Sequence, residues 1–256
     1  MILQKIPLAG VIGDPIAHSK SPRLHGYWLG RYGLAGHYIP LHARAENLAQ
    51  VLRAMPQMGF VGANVTIPHK EAALALADTV SDQARRIGAA NTLTFTENGG
   101  FHADNTDGIG FLANLHQNAP SWQADQGAVM IIGAGGAARA IVVALLDAGA
   151  PEIILTNRTL ARAAALAAEF GPRLRVVDWN ETENHLASAR TVVNTTALGM
   201  AGKDAFPFSL RSVQQGALVT DIVYTPLETP FLRAAKAQGC HVVDGLGMLL
   251  HQAAPG

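Results

Sequence analysis

From residue 128 onward, short apolar runs alternate with longer segments of helical period. The runs at 129–132, 152–156, 174–177, 191–194, 217–222 and 241–243 are rich in Val and Ile and nearly free of charge, as strands covered on both faces must be. Between them, 137–149, 159–170 and 229–238 carry Ala and Leu at helical spacing. This alternation predicts a doubly wound parallel sheet of Rossmann type.

The upstream pattern is more irregular. Leu8–Ile12 reads as a strand ending in the turn residues Gly13, Asp14 and Pro15. Ser21 before Pro22 reads as an N-cap and first helical position, with Leu24, Trp28 and Leu29 on the buried face. Ser19 has no such structural duty; with Ser21, Lys20 and His18 it forms a candidate anion-binding lip. A second strand is expected at 37–40, an amphipathic helix over Ala45–Met55, and a third strand over Gly59–Ile67. Asp78–Ile87 reads as a polar-faced helix, and Asn98, Gly99 and Gly100 as a hairpin turn. Asp104–Asp107 cluster where a strand gives way to a helix, with the cap assigned to Asn105 or Thr106 and Asp107 in the first turn, where the helix dipole favours an acid. The polar stretch 118–126 reads as a domain linker.

Length and composition narrow the class. A chain of 256 residues, 49% hydrophobic, builds one large domain or two modest ones. Lys and Arg total 19, as do Asp and Glu, so no net field attracts nucleic acid or an anionic membrane. The expected partner is a small molecule, bound by a monomer or homodimer. Cys240 is the sole cysteine, which excludes an internal disulfide and fits a reducing compartment. No signal-peptide pattern or membrane-length apolar run is seen, so a soluble cytoplasmic protein is expected.

The candidate chemistry begins at VMIIGAGGAARA, residues 129–140. A strand running into Gly133, Gly135 and Gly136, with Ala138 at the third position of GxGxxA, can cradle a pyrophosphate at a helix N-terminus; alone, such a turn equally closes an ordinary strand–helix unit. Past the next strand, where NAD-binding folds place an acid, stand Asn157, Arg158 and Thr159, with Arg162 one turn on. Arginines there suit a 2′-phosphate, so NADP(H) is the expected cofactor. Thr159 is expected to cap the following helix in any case. In NVTIPHK, Asn64, Thr66 and Lys70 are polar at a strand's C-terminal end, where such sheets bind ligands, although an isolated first-turn lysine is more often simply solvated.

Together GDPIAHSKSP, NVTIPHKEAA, GAANTL, DNTDGIGF, IIGAGGAARA, TNRT and DGLGMLLHQAA, in this order along nearly the whole chain, resemble the shikimate dehydrogenase family. The resemblance implies an N-terminal α/β substrate domain, 1–105 with the return of 246–256, and a C-terminal NADP-binding Rossmann domain, 106–245. It implies reduction of 3-dehydroshikimate to shikimate with NADPH, without metal. It assigns the substrate carboxylate to Ser19 and Ser21, and its hydroxyls and ring to Asn64, Thr66, Asn91 and Gln252, with Tyr224 near the substrate. Lys70 and Asp107 would be the catalytic pair. Gly133, Ala134, Gly135, Gly136, Ala137 and Arg139 would hold the pyrophosphate, and Asn157, Arg158, Thr159 and Arg162 the adenosine phosphate. Thr196, Ile222, Gly245 and Met248 would flank the nicotinamide. The chain ends at Gly256, just past Gln252, where the family usually continues, so a truncated C-terminus is one expectation.

The chemistry agrees. Hydride arrival at a ketone carbon places negative charge on its oxygen, which needs a donor able to release a proton. Lysine can do this, oriented by a carboxylate. The His residues show no metal-binding pairing, and His18, His25 and His69 read as packing or surface residues. Two alternatives stand: a relative that also oxidises quinate or uses NAD, and a catalytically silent NADP-binding sensor.

Overall fold

The computed structural model describes residues 6–256; the first five residues of the expected 1–105 domain lie outside them. Contacts divide the chain into two compact units, one running through Thr106 and joined by Ala253–Gly256, the other Asp107–Gln252. Residues 246–252 therefore group with the second unit, whereas the sequence reading returned all of 246–256 to the first.

The first unit begins with β1 (Leu8–Gly13), α1 (Ser21–Tyr32) and β2 (His37–His42). A 3-10 turn leads into α2 (Leu48–Ala54), and β3 (Phe60–Val65) and α3 (Lys70–Leu76) follow. β4 (Thr79–Val80), α4 (Asp82–Ile87), β5 (Thr92–Phe95) and β6 (Phe101–Asp104) complete it. The strands form one sheet in the order β2-β1-β3-β5-β6-β4, in which β5 alone runs against the others. Leu48, Leu52 and Met55, at the helical spacing read from sequence, pack with Ile12, Val65, Leu93 and Phe101 in its core.

Two local expectations fail here for identifiable reasons. The helix expected from Asp78 starts only at Asp82. Thr79 and Val80 instead pair with β6, and Ser81 caps α4 by accepting from the Ala84 N–H at 3.0 Å. Likewise Ser21 is the first residue of α1 and not its cap: Lys20 occupies the cap position with no side-chain hydrogen bond. It is Ser19 whose hydroxyl accepts the Ser21 N–H, at 3.3 Å.

The second unit opens with α5 (Asp107–Asn118), followed by β7 (Ala128–Ile132), α6 (Gly136–Asp147), β8 (Ile153–Thr156), α7 (Leu160–Phe170) and β9 (Leu174–Val177). Then come α8 (Thr182–Leu186), β10 (Ala189–Asn194), β11 (Leu218–Asp221), α9 (Pro230–Ala237), β12 (His241–Val243) and α10 (Leu246–Ala253). All six strands are parallel, ordered β12-β11-β10-β7-β8-β9. Side chains alternate between the sheet's two cores: Val129 and Ile131 enter one, Met130 and Ile132 the other. Covering both faces explains why these strands read as unbroken apolar runs.

The stretch 118–126 is not a linker between units. Trp122 within it is buried, donates its indole N–H to Thr191 Oγ1 at 2.9 Å, and packs into the core with Leu115 and Ala124. Among the described residues, no helix is long and apolar enough to cross a membrane.

Candidate active site

In the parallel sheet the strand order reverses between β7 and β10, and open α/β sheets bind ligands outside the strand ends at such a point. Gly133 leaves β7 with φ +114°, a conformation that disfavours any side chain. A Cβ there would also lie 2.5 Å from Thr195 Oγ1 and 2.9 Å from Thr196 Cγ2. The loops after β7 and β10 thus close on each other, as this crevice requires. Gly135 takes the cap position of α6, Gly136 and Ala137 start the helix, and the buried Ala138 packs its first turn into the core. Nothing lies within 4 Å of a Cβ built on Gly135, which leaves room for a phosphate at the helix N-terminus.

The end of β8 shapes the same loop. Asn157 Oδ1 accepts from the Ala134 N–H at 3.2 Å, and its Nδ2 donates to Thr159 O at 2.9 Å, so this amide ties the glycine loop to the β8–α7 turn. Thr159 stands at the cap position of α7 without a side-chain cap bond. The expected hydroxyl cap is absent, and the first turn is closed by backbone, Arg162 N–H donating to Thr159 O at 3.0 Å. Arg158 and Arg162 are exposed and have no ion-pair partner among the described residues. Arg139 differs: it is buried, pairs with Glu169 of α7 and lies 5.4 Å from the Phe170 ring centre. A nucleotide bearing a pyrophosphate and a further phosphate fits this set of a glycine turn, a helix N-terminus and two unengaged guanidinium groups.

The first unit gathers a second polar set around the C-terminal ends of β1 and β3. The Ser19 hydroxyl, having accepted the Ser21 N–H, keeps its own proton to donate. The hydroxyls of Ser21 and Thr66 have no protein partner among the described residues. Asn64 is more committed: Oδ1 accepts from the Tyr38 hydroxyl at 2.6 Å, and Nδ2 reaches Asn91 O and Thr92 Oγ1, each at 3.3 Å. Behind Tyr38, His25 stacks on its ring at 4.0 Å. His25 Nε2 is buried without a partner among the described residues, and burial holds this imidazole below the usual histidine range.

Lys70 is half-buried at the start of α3. Just before it the buried His69 ring bonds Ala43 O at 2.7 Å, which makes this histidine a packing residue. Asn91 accepts the Thr106 N–H at 2.9 Å and donates to the Thr106 hydroxyl at 3.0 Å. One peptide bond further on, the buried Asp107 opens α5.

The chain from 11 to 93 matches the family described as "Shikimate dehydrogenase substrate binding domain", and 115–205 that described as "Shikimate / quinate 5-dehydrogenase". It is 62% identical over 250 residues to a "Shikimate dehydrogenase (NADP(+))" of Paracoccus denitrificans, covering 98% of this chain and 89% of that one. The chain belongs to the shikimate dehydrogenase family. Among solved members is a shikimate dehydrogenase of Aquifex aeolicus, with TM-score 0.89, 37% identity and coverage of 99% of this chain and 91% of that one. Another, from Thermus thermophilus in complex with NADP(H) and shikimate, has TM-score 0.84, 42% identity and coverage of 97% and 90%. A quinate dehydrogenase of Corynebacterium glutamicum in complex with NAD has TM-score 0.85, 34% identity and coverage of 97% and 91%.

Two features of this shikimate dehydrogenase-family chain escape a sequence reading. In DNTDGIGF, Gly110 is required by close approach: its Cβ would lie 2.6 Å from Gln252 Cβ and 2.9 Å from Met248 O. The glycine thus lets α10, which carries both expected site residues, press against α5. At the ends of β10 and β11, Asn194 and Asp221 are fully buried and bonded to each other at 2.8 Å. Each is one polar residue closing an apolar strand, a signal that resembles an ordinary strand end.

Proposed function

We propose that the protein is an NADP-dependent shikimate dehydrogenase that reduces 3-dehydroshikimate to shikimate, reversibly, using Lys70 and Asp107 as its acid–base pair. The observation that carries this reading is the crevice at the strand-order reversal, closed by Gly133 against Thr195 and Thr196, with Arg158 and Arg162 unengaged beside it. NADPH supplies the hydride. The chain's own residues bind, orient and move the proton.

The donor hydroxyls of Ser19 and Ser21 suit the substrate carboxylate because they bind it without adding charge. Thr66, Asn64, Asn91, Tyr224 and Gln252 hold the ring and its hydroxyls. Asn64 arrives pre-oriented, since the Tyr38 hydroxyl fixes which end of its amide is oxygen. As negative charge develops on the carbonyl oxygen, Lys70 donates a proton from Nζ, and Asp107 orients that ammonium group. In the oxidative direction Lys70 takes the hydroxyl proton back. Arg158 and Arg162 bind the 2′-phosphate. Asn157 and Arg139 shape the cofactor site through Ala134 and α7.

The test is the near-ultraviolet absorbance of NADPH on mixing the purified protein with shikimate and NADP+, repeated with quinate and with NAD+. A rise confined to shikimate with NADP+ is expected. Equal rates with quinate or NAD+ establish the broader quinate/shikimate activity. NADP(H) binding without turnover establishes a silent sensor instead.

A further inference from the structure

The C-terminal ends of β10 and β11 are joined by a buried polar network centred on one carboxylate. Asn194 and Asp221 are partners across the parallel ladder. Asn194 Nδ2 donates to Asp221 Oδ1 at 2.8 Å, while Asn194 Oδ1 turns back to accept the Thr196 N–H at 2.9 Å and its hydroxyl at 2.8 Å. The same Thr196 oxygen accepts from Leu198 N–H at 3.1 Å. Asp221 Oδ1 also accepts the Val223 N–H at 3.0 Å, and Oδ2 accepts the Thr229 hydroxyl at 2.7 Å. Thr229 is the N-cap of α9, its oxygen accepting from Leu232 N–H at 3.3 Å. The loop at 194–198, the segment 221–223 and the start of α9 therefore share one anchor.

That anchor reaches the residues assigned to the nicotinamide. Thr196 is bonded to Asn194, and Ile222 lies between Asp221 and Val223, with its N–H on Asn194 O at 3.1 Å. Gly245 sits so close to the Ile222 carbonyl that a Cβ would overlap its oxygen. We propose that Asp221 is the positioning residue for the nicotinamide end of the cofactor site, setting the places of Thr196, Ile222 and Gly245 without touching the cofactor itself. This rests on the cofactor reading given above.

A carboxylate is suited to this work and poorly suited to plain stabilisation. Asp221 is fully buried, no cation pairs with it among the described residues, and burial pushes its carboxyl up to about 6 despite three hydrogen bonds that favour the charged form. An apolar residue would fill the same volume without that cost. What it could not do is fix three donors from separate segments with two oxygens.

The experiment compares wild type, Asp221→Asn and Asp221→Ala by NADPH fluorescence titration, steady-state KM for NADP+ and for shikimate, kcat, and thermal midpoint. Alanine removes the shared acceptor of all three donors, and the expected result is an NADP+ KM raised about tenfold with the shikimate KM within about twofold of wild type. Asparagine keeps one acceptor oxygen and recovers most of the loss, leaving a rise of about threefold. If the alanine chain does not fold, the asparagine chain decides alone. An NADP+ KM unchanged in the folded variants, whatever their thermal midpoints, overturns the proposal and leaves Asp221 a structural residue. Absence of NADPH binding by wild type overturns the cofactor reading itself, which the wild-type titration shows before any variant is read.

Discussion

The two units present different parts of the chain at their strand ends. In the parallel-sheet unit the glycine loop is shaped by what it lacks: Gly133 has no Cβ to strike Thr195, and space is open above Gly135. In the mixed-sheet unit the polar atoms are side-chain hydroxyls and amides on strand ends and loops, some unengaged (Ser21, Thr66) and some held by neighbours, as Asn64 is by Tyr38. A site made from absent side chains has few ways to vary, whereas one made from side-chain donors can change its ligand by exchanging a hydroxyl. A nucleotide shared by many enzymes suits the first, and a particular hydroxylated acid suits the second.

That contrast can be broken at several points. Lys70→Ala should have the largest effect, a loss of about 10²-fold or more in kcat, with NADPH affinity unmoved in a binding titration; near-normal turnover removes Lys70 from the chemistry. Gly133→Ala should weaken NADPH binding about thirtyfold, because the new Cβ meets Thr195 in a backbone conformation that alanine resists. Shikimate binding measured by calorimetry should not follow it. Replacing Arg158 and Arg162 together by Ala should cut the preference for NADP+ over NAD+, as a ratio of kcat/KM, by about tenfold; an unchanged ratio places the 2′-phosphate elsewhere. Tyr38→Phe should be mildest, raising the shikimate KM about fivefold by releasing the Asn64 amide, and leaving the NADP+ KM alone.

Legibility in the sequence follows the same divide. The parallel sheet was readable because burial on both faces makes each strand a continuous apolar run, and every strand from β7 to β12 falls within a residue or two of its expected span. Around α1 and α4, local residue types pointed to Ser21 as a cap and to Asp78 as a helix start, where the structure puts Lys20 at the cap position of α1 and Ser81 at that of α4. Trp122 made a polar stretch part of a core, which composition alone could not show. The glycine turn alone could equally have closed an ordinary strand–helix unit, and it was Arg158 and Arg162 in and after TNRT that pointed it toward a phosphorylated nucleotide. Ser19, Ser21, Asn64, Thr66 and Lys70 stood out by position, before a helix or at a strand end, but their separate roles, and Asn91 altogether, came only through the family resemblance, since a lone Asn64 or Lys70 looks like any loop residue. Asp221 was invisible for a further reason: its importance lies in contacts with residues 8 to 27 positions away.

The buried Asp221 carboxyl also makes the folded chain a stronger proton acceptor than the unfolded one. Its folded value is about 6 against an ordinary 3.8, so the stability this group contributes is fully present below pH 3.8 and is lost as pH rises through 6. The span corresponds to on the order of 3 kcal/mol. Mild acid should therefore tighten the parallel-sheet unit at this point while other carboxylates pull the opposite way. Asp221→Asn, which cannot titrate, should lack the component, and the difference between the two unfolding free energies measured from pH 4 to pH 7 isolates it. An enzyme held at neutral pH thus carries its anchor in the less stable protonation state, with charge retained where three donors are waiting for it.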